Sequence, residues 1–133
     1  NQRMTIYQVE SKQELRYTAE IGKLYPIYVG AAGKSILANM NQSEIDAILN
    51  EYVSKDKRKN IEQELIAIKK NNYAVSYGER ISGGIGIATP LEVNKTLYSL
   101  SIYAPDSRIN EERIKEYIAM LQSFASLIKE GVF

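Results

Sequence analysis

Gly84-Ile85-Gly86-Ile87-Ala88-Thr89 and, shortly after, Thr96-Leu97-Tyr98-Ser99-Leu100-Ser101-Ile102-Tyr103-Ala104 alternate bulky with small residues. That alternation is a strand's, because successive side chains point to opposite faces of a sheet. In the first run Ile85, Ile87 and Thr89 oppose Gly84, Gly86 and Ala88; in the second Tyr98, Leu100 and Ile102 oppose Ser99, Ser101 and Tyr103. Just upstream, Tyr73 to Arg80 repeats the pattern, with Tyr73, Val75 and Tyr77 against Ala74, Ser76 and Gly78. These runs predict three strands, the last two joined as a hairpin around Pro90 to Lys95. If the register matches the faces, the sheet has one bulky apolar side and one side lined by Gly, Ala and Ser. The bulky side is core. The small side either lets a helix approach closely or leaves a hollow with hydroxyl donors, and the residues leave both open.

Outward from this sheet, the chain closes with a long helix predicted from an Asn110 cap to about Lys129, with Ile114, Ile118, Leu121, Ala125 and Ile128 at helical spacing. Glu111 and Glu112 fall in its first turn, where acidic side chains meet the helix dipole, so they are not read as a catalytic pair. Upstream of the sheet, Asn60 is expected to cap a helix carrying Ile61, Leu65 and Ile68 on one face and ending at Asn71-Asn72. The charge-rich Lys55-Asp56-Lys57-Arg58-Lys59 before it is read as a solvated connector. Asn41 to Glu44 has capping-box spacing ahead of Ile45, Ile48, Leu49 and Tyr52, a short amphipathic helix. Two further strands are expected at the start, Met4 to Val9 and Glu14 to Ala19. The total is an α+β domain with about five strands.

Tyr25-Pro26-Ile27-Tyr28-Val29-Gly30-Ala31-Ala32-Gly33-Lys34-Ser35-Ile36-Leu37-Ala38 links the two parts. A β-branched and aromatic run stops at Gly30, and Lys34 onward reads as helix. A helix start leaves backbone N–H groups without partners and carries partial positive charge, and Ala31, Ala32 and Gly33 barely screen those donors. It is a place to hold an anion. The Gly33-Lys34-Ser35 ending matches the tail of a phosphate loop, but Tyr28 stands where the first glycine belongs, which argues against an NTPase. Lys34 is expected to lay its stem on apolar surface with its ammonium in water. Gly83-Gly84-Ile85-Gly86 leads into a strand rather than a helix and is no dinucleotide fingerprint.

Composition narrows the chemistry. At 133 residues the chain is long enough for one domain with a real core and short for two. It contains no cysteine and no histidine, which removes disulfides, thiol nucleophiles, imidazole bases and the usual zinc ligands. No catalytic constellation and no metal or cofactor site is expected. Lys and Arg total 17 against 16 Asp and Glu, so no general field draws in DNA or an anionic membrane, and no apolar run approaches a membrane span. Of the ten tyrosines, Tyr17, Tyr77 and Tyr103 lie where they could reach a ligand, Tyr77 ranking last because it falls on the bulky face.

Four segments in order carry a resemblance: Pro26 with Ala32-Gly33-Lys34-Ser35-Ile36-Leu37-Ala38; Lys69-Lys70-Asn71-Asn72-Tyr73-Ala74-Val75-Ser76; Glu79 with Gly83 and Ile87-Ala88-Thr89-Pro90; and Ser99 to Arg108. Together they resemble the C-terminal effector-binding domain of the IclR family of bacterial transcription factors, from about Met4 to the last helix. The resemblance implies a GAF-like antiparallel sheet flanked by helices, binding a small metabolite, often a carboxylate, and driving dimer or tetramer assembly. It implies that residues 1–133 are this single domain, N-terminally truncated, in a cytoplasmic regulator whose winged helix-turn-helix, the part that binds DNA, is absent from the chain. Family ligand positions fall on Ala31, Ala32, Ser76, Gly86, Ser101 and Tyr103, with Tyr17 a looser match. Ser76 stands where many members carry an acid, making the pocket friendlier to an anion. Gly86 stands where some carry cysteine and is expected to enlarge it; Tyr103 replaces a common Ser or Thr and offers a ring to stack. A GAF-like module of another signalling protein would share sheet and pocket, and is the alternative to a regulator that senses a small organic acid.

Overall fold

The computed structural model describes residues 1–131. Its elements run β1 (Gln2–Met4), β2 (Leu24–Pro26), α1 (Gly30–Leu37), α2 (Gln42–Tyr52), α3 (Lys55–Asn71), β3 (Ala74–Tyr77), β4 (Gly84–Val93), β5 (Thr96–Pro105) and α4 (Glu111–Lys129), with a 3-10 turn at Asp106–Arg108. The class is α+β and all strand pairing within the sheets is antiparallel, but the five strands form two sheets, β1-β2 and β3-β4-β5, not one.

The three-stranded sheet has the register that alternation demands. Ser76 pairs with Gly86 and Gly86 with Tyr103; Ala74 pairs with Ala88 and Ala88 with Ser101. Cross-strand partners share a face, so the small residues line one side. Ile85, Ile87 and Leu121 form the core of the other side, where α4 packs with Ile114, Tyr117 and Ile118 beside Val75, Leu100 and Ile102. Tyr77 is on that bulky side yet 65% exposed, at the end of the short edge strand β3. The hairpin turn is tighter than expected: β4 continues to Val93, and Asn94 and Lys95 take positive φ of 49° and 65°, the two-residue turn whose twist suits paired strands.

On the small side sits α1. Ala31, Leu37 and Ala38 pack with Ala74 and Ala88, and Ile45, Ile48 and Leu49 of α2 and Leu65 and Ile68 of α3 complete that core. Close approach is why the sheet is small there. Gly33 is required for a related reason: a Cβ on it would lie 2.4 Å from the Ile27 carbonyl oxygen. Gly30, at φ +81°, turns the chain from β2 into the helix, a backbone that L side chains resist.

Helix starts were partly legible. Asn41 accepts from the Glu44 amide at 2.9 Å and Asn110 from the Arg113 amide at 2.8 Å, both as capping residues. The Lys55–Lys59 connector, however, is the first turns of α3, whose N-cap is Ser54, and Asn60 is interior. Lysine and arginine are good helix formers and Asp56 meets the helix dipole in the first turn. The strands expected at Met4–Val9 and Glu14–Ala19 are also corrected. Pairing stops after Met4, apart from one bridge from Thr5 to Ile21, and the Gln8 side chain then takes both backbone groups of Ala19, donating to its carbonyl at 2.6 Å and accepting from its N–H at 2.9 Å. Those are the groups a strand at Ala19 would have used.

Candidate functional site

The start of α1 is open. Val29 caps it without a side-chain hydrogen bond and no acidic residue lies in its first turn. The Gly30 amide reaches Glu79 Oε1 at 3.4 Å and the Ala31 amide donates to Ser76 Oγ at 3.1 Å, while the Ala32 amide has no acceptor among the described residues. Two of the orphan donors of a helix start are thus satisfied from within, while neither Ala32, which lines the cavity described next, nor Gly33 has an amide acceptor among the described residues.

Beyond it lies a cavity of about 830 Å³, between α1, the β5 side of the sheet and the irregular segment after β1. All seven residues singled out from the sequence line it: Ala31, Ala32, Ser76, Gly86, Ser101, Tyr103 and Tyr17. Ser76 is 3% exposed and accepts from Ala31, which leaves its own proton to donate. Gly86 does not enlarge the space as expected. A Cβ there would lie 2.8 Å from Ser76 Oγ and 3.4 Å from both Ala31 Cβ and Tyr103 Cδ2, so its missing side chain is the room these three already fill. Tyr103 tilts against Tyr17 at 5.3 Å between ring centroids. Its buried hydroxyl has no hydrogen-bond partner; the Ile81 backbone amide approaches without completing one. Burial pushes the Tyr103 phenol above 10.0, partly offset by the nearby Arg80 charge.

Two residues of the site were missed in the sequence. Arg3 and Arg80 both line the cavity, and each lies over the Tyr25 ring with Cζ 5.1 Å from its centroid; Arg80 also lies 4.8 Å from that of Tyr103. Arg3 Nε is buried without a partner. Burial and the Arg80 charge hold Arg3 below the ordinary arginine value. Neither arginine makes an ion pair among the described residues. No local pattern marks them, since each is a lone arginine and only the fold brings them together.

Lys34 is corrected in place and supported in role. Its ammonium is not in water: the residue is 2% exposed, with Nζ 2.5 Å from Glu64 Oε2 and 2.7 Å from Glu79 Oε2. It joins α1 to α3 and to the end of β3. The backbone from Gly30 is helix rather than a phosphate loop, so the nucleotide reading has neither its lysine nor its nest. Tyr77 lies outside the cavity. Among the described residues no acidic cluster could hold a metal, and no helix is long and apolar enough to cross a membrane.

The chain belongs to the IclR family: the model of the bacterial transcriptional regulator IclR C-terminal domain matches residues 1–130. It is 31% identical over 132 residues to the HTH-type transcriptional regulator KdgR of Escherichia coli, covering 92% of this chain and 50% of that protein. It is also 31% identical over 120 residues to the HTH-type transcriptional regulator TtgV of Pseudomonas putida, covering 86% and 46%. Among solved structures, an IclR-family regulator of a Rhodococcus species superposes with a TM-score of 0.84 at 26% identity, over 97% of this chain and 52% of that one. The C-terminal domain of a Vibrio cholerae regulator gives 0.80 at 29%, over 94% and 77%. The chain spans about half the length of the curated relatives it matches. These relatives are transcription regulators, not enzymes.

Proposed function

We propose that this domain senses a small organic acid in the cavity at the start of α1 and, within a cytoplasmic regulator, adjusts DNA binding by an N-terminal helix-turn-helix. The observation that carries the reading is the open Ala32 amide at an uncapped helix start facing that cavity. In this scheme Ala31 and Ala32 present the helix terminus to a carboxylate, and the Ala32 N–H donates to it. Ser76 and Ser101 add hydroxyl donors, Tyr17 and Tyr103 supply rings against the body of the acid, and Gly86 lets α1 sit close enough for the set to converge. The regulatory step needs the ligand to bind one packing of the domain better than another, since equal affinity shifts nothing. Self-association as dimer or tetramer belongs to the same proposal, and its support is the family alone.

Thermal-shift and calorimetric titration with a panel of small aliphatic and aromatic carboxylates tests the reading. Ala32→Asp is the control, because an acidic side chain suits the first turn of a helix but repels an anion there. The expected result is saturable stabilisation in the parent, lost in the variant at undiminished fold stability. No response to any acid in the panel, or equal response in both proteins, contradicts it. If an acid binds yet leaves operator affinity and assembly of the full-length regulator unchanged, the regulatory half fails alone.

A further inference from the structure

Beyond the seven residues already placed, the cavity carries an unbalanced charge. Its lining includes Arg3, Arg16, Arg80 and Arg108 but only one carboxylate, Glu10, and that one pairs with Arg16 at 3.8 Å. Arg108 is held at the rim by the Leu15 carbonyl. Glu79, the acidic side chain at the start of α1, is already engaged by Lys34 and the Gly30 amide. Arg3 and Arg80 are left: of the three cations over the Tyr25 ring, Lys23 pairs with Glu20, and the two arginines have no counter-ion among the described residues.

Burial lowers the Arg3 pKa and leaves its Nε without a partner, and the Arg80 charge lowers it further, a mutual repulsion that adds to the cost. Contact with the rings of Tyr25 and Tyr103 uses the faces of the planar groups and leaves N–H edges for something else. Arg80 gives one such edge to the Thr18 carbonyl at 3.1 Å; the Arg3 side chain makes no hydrogen bond among the described residues. A single carboxylate would compensate one of the two charges. A second negative charge on the same small molecule compensates both.

We infer that the effector is an acid with two anionic groups, a dicarboxylate or a phosphorylated acid, whose charges are held by the guanidinium groups of Arg3 and Arg80. The inference rests on the effector reading above and names the chemical class of the ligand. It does not depend on the α1 terminus, which can take one of the two groups or neither.

Matched probes test it by calorimetry at fixed ionic strength: succinate against butyrate, and phosphoglycolate against glycolate. The member with two anionic groups in at least one pair is expected to bind about tenfold tighter or more. The favoured pair distinguishes carboxylate from phosphate as the second group. Arg3→Gln and Arg80→Gln should each bring that ratio near unity. Should Arg3→Gln fail to fold by circular dichroism, Arg3→Lys replaces it, keeping charge but losing the fork, and is expected to lower the ratio severalfold. Equal binding within both pairs, or a ratio that survives both glutamine variants, overturns the inference and leaves the effector reading intact. Binding of monocarboxylates from the wider panel without binding of succinate or phosphoglycolate overturns it too, whereas silence from every acid overturns both.

Discussion

Replacing Lys34 with methionine removes a charge while keeping most of the unbranched stem that α1 buries. In the folded protein the residue is 2% exposed and its ammonium is held by two carboxylates at 2.5 and 2.7 Å. Removing one partner of a fully buried pair costs about 3–5 kcal/mol, because the other charge is stranded. Here Glu64 and Glu79 keep 47% and 35% of their side-chain surface in solvent, so water takes over much of the task. The expected loss for Lys34→Met is therefore reduced to about 1–3 kcal/mol. Urea unfolding should show a lower midpoint at an unchanged slope. Adding Glu64→Gln and Glu79→Gln removes the stranded charges and should restore roughly half of the loss or more. A Lys34→Met protein as stable as its parent, or a triple variant no better than the single, would refute the account of Lys34 as a charge neutralised inside the fold.

Gly33→Ala should lose about 1–3 kcal/mol in thermal unfolding despite alanine's higher helix propensity, since the new Cβ meets the backbone of Ile27; a stabilised variant would contradict the close approach. Gly86→Ala should cost about 1–2 kcal/mol and speed hydrogen exchange at the Ala31 amide, because the added methyl displaces the Ser76 hydroxyl that holds it; parent-like exchange would count against that packing. Tyr103→Phe should change stability at pH 7 by no more than about 0.5 kcal/mol, as the hydroxyl it removes has no partner. The same variant should flatten the alkaline limb of stability against pH. Burial raises the phenol above 10.0, so the folded state keeps a proton the unfolded chain gives up, and stability falls as pH climbs from that value through the folded one. An unchanged alkaline limb would contradict it.

What was readable in the chain follows from how each signal arises. The sheet β3-β4-β5 and the helix α4 depend on local periodicity, and alternation from Gly84 through Tyr103 even placed the small face correctly. The ends of the elements depend on partners. Whether Val9 or Tyr17 lies in a strand is decided by what pairs with it, and the Gln8 side chain intercepts Ala19 in a way no propensity records. The short pair β1-β2 was hidden for the converse reason, since Leu24–Pro26 contains a proline and so reads as punctuation. At the site, small residues at a helix start announce themselves, so Ala31 and Ala32 were visible. Lys34 gave no sign that it was buried, because its two carboxylates come from α3 and from beyond β3. Arg3 and Arg80 were invisible for the same cause: a cationic pair is a property of the fold, not of either segment.

The most direct test of the central claim is an amide-resolved NMR titration of the isotope-labelled chain with the carboxylate that gives the largest thermal shift. The account predicts that the amides of Ala31, Ala32, Ser76, Ser101 and Tyr103 move together along one saturable curve, with Ala32 moving farthest because it lines the cavity and its N–H has no acceptor among the described residues. Shifts scattered over the surface without saturation, or a binding curve that leaves Ala32 unmoved, would contradict it.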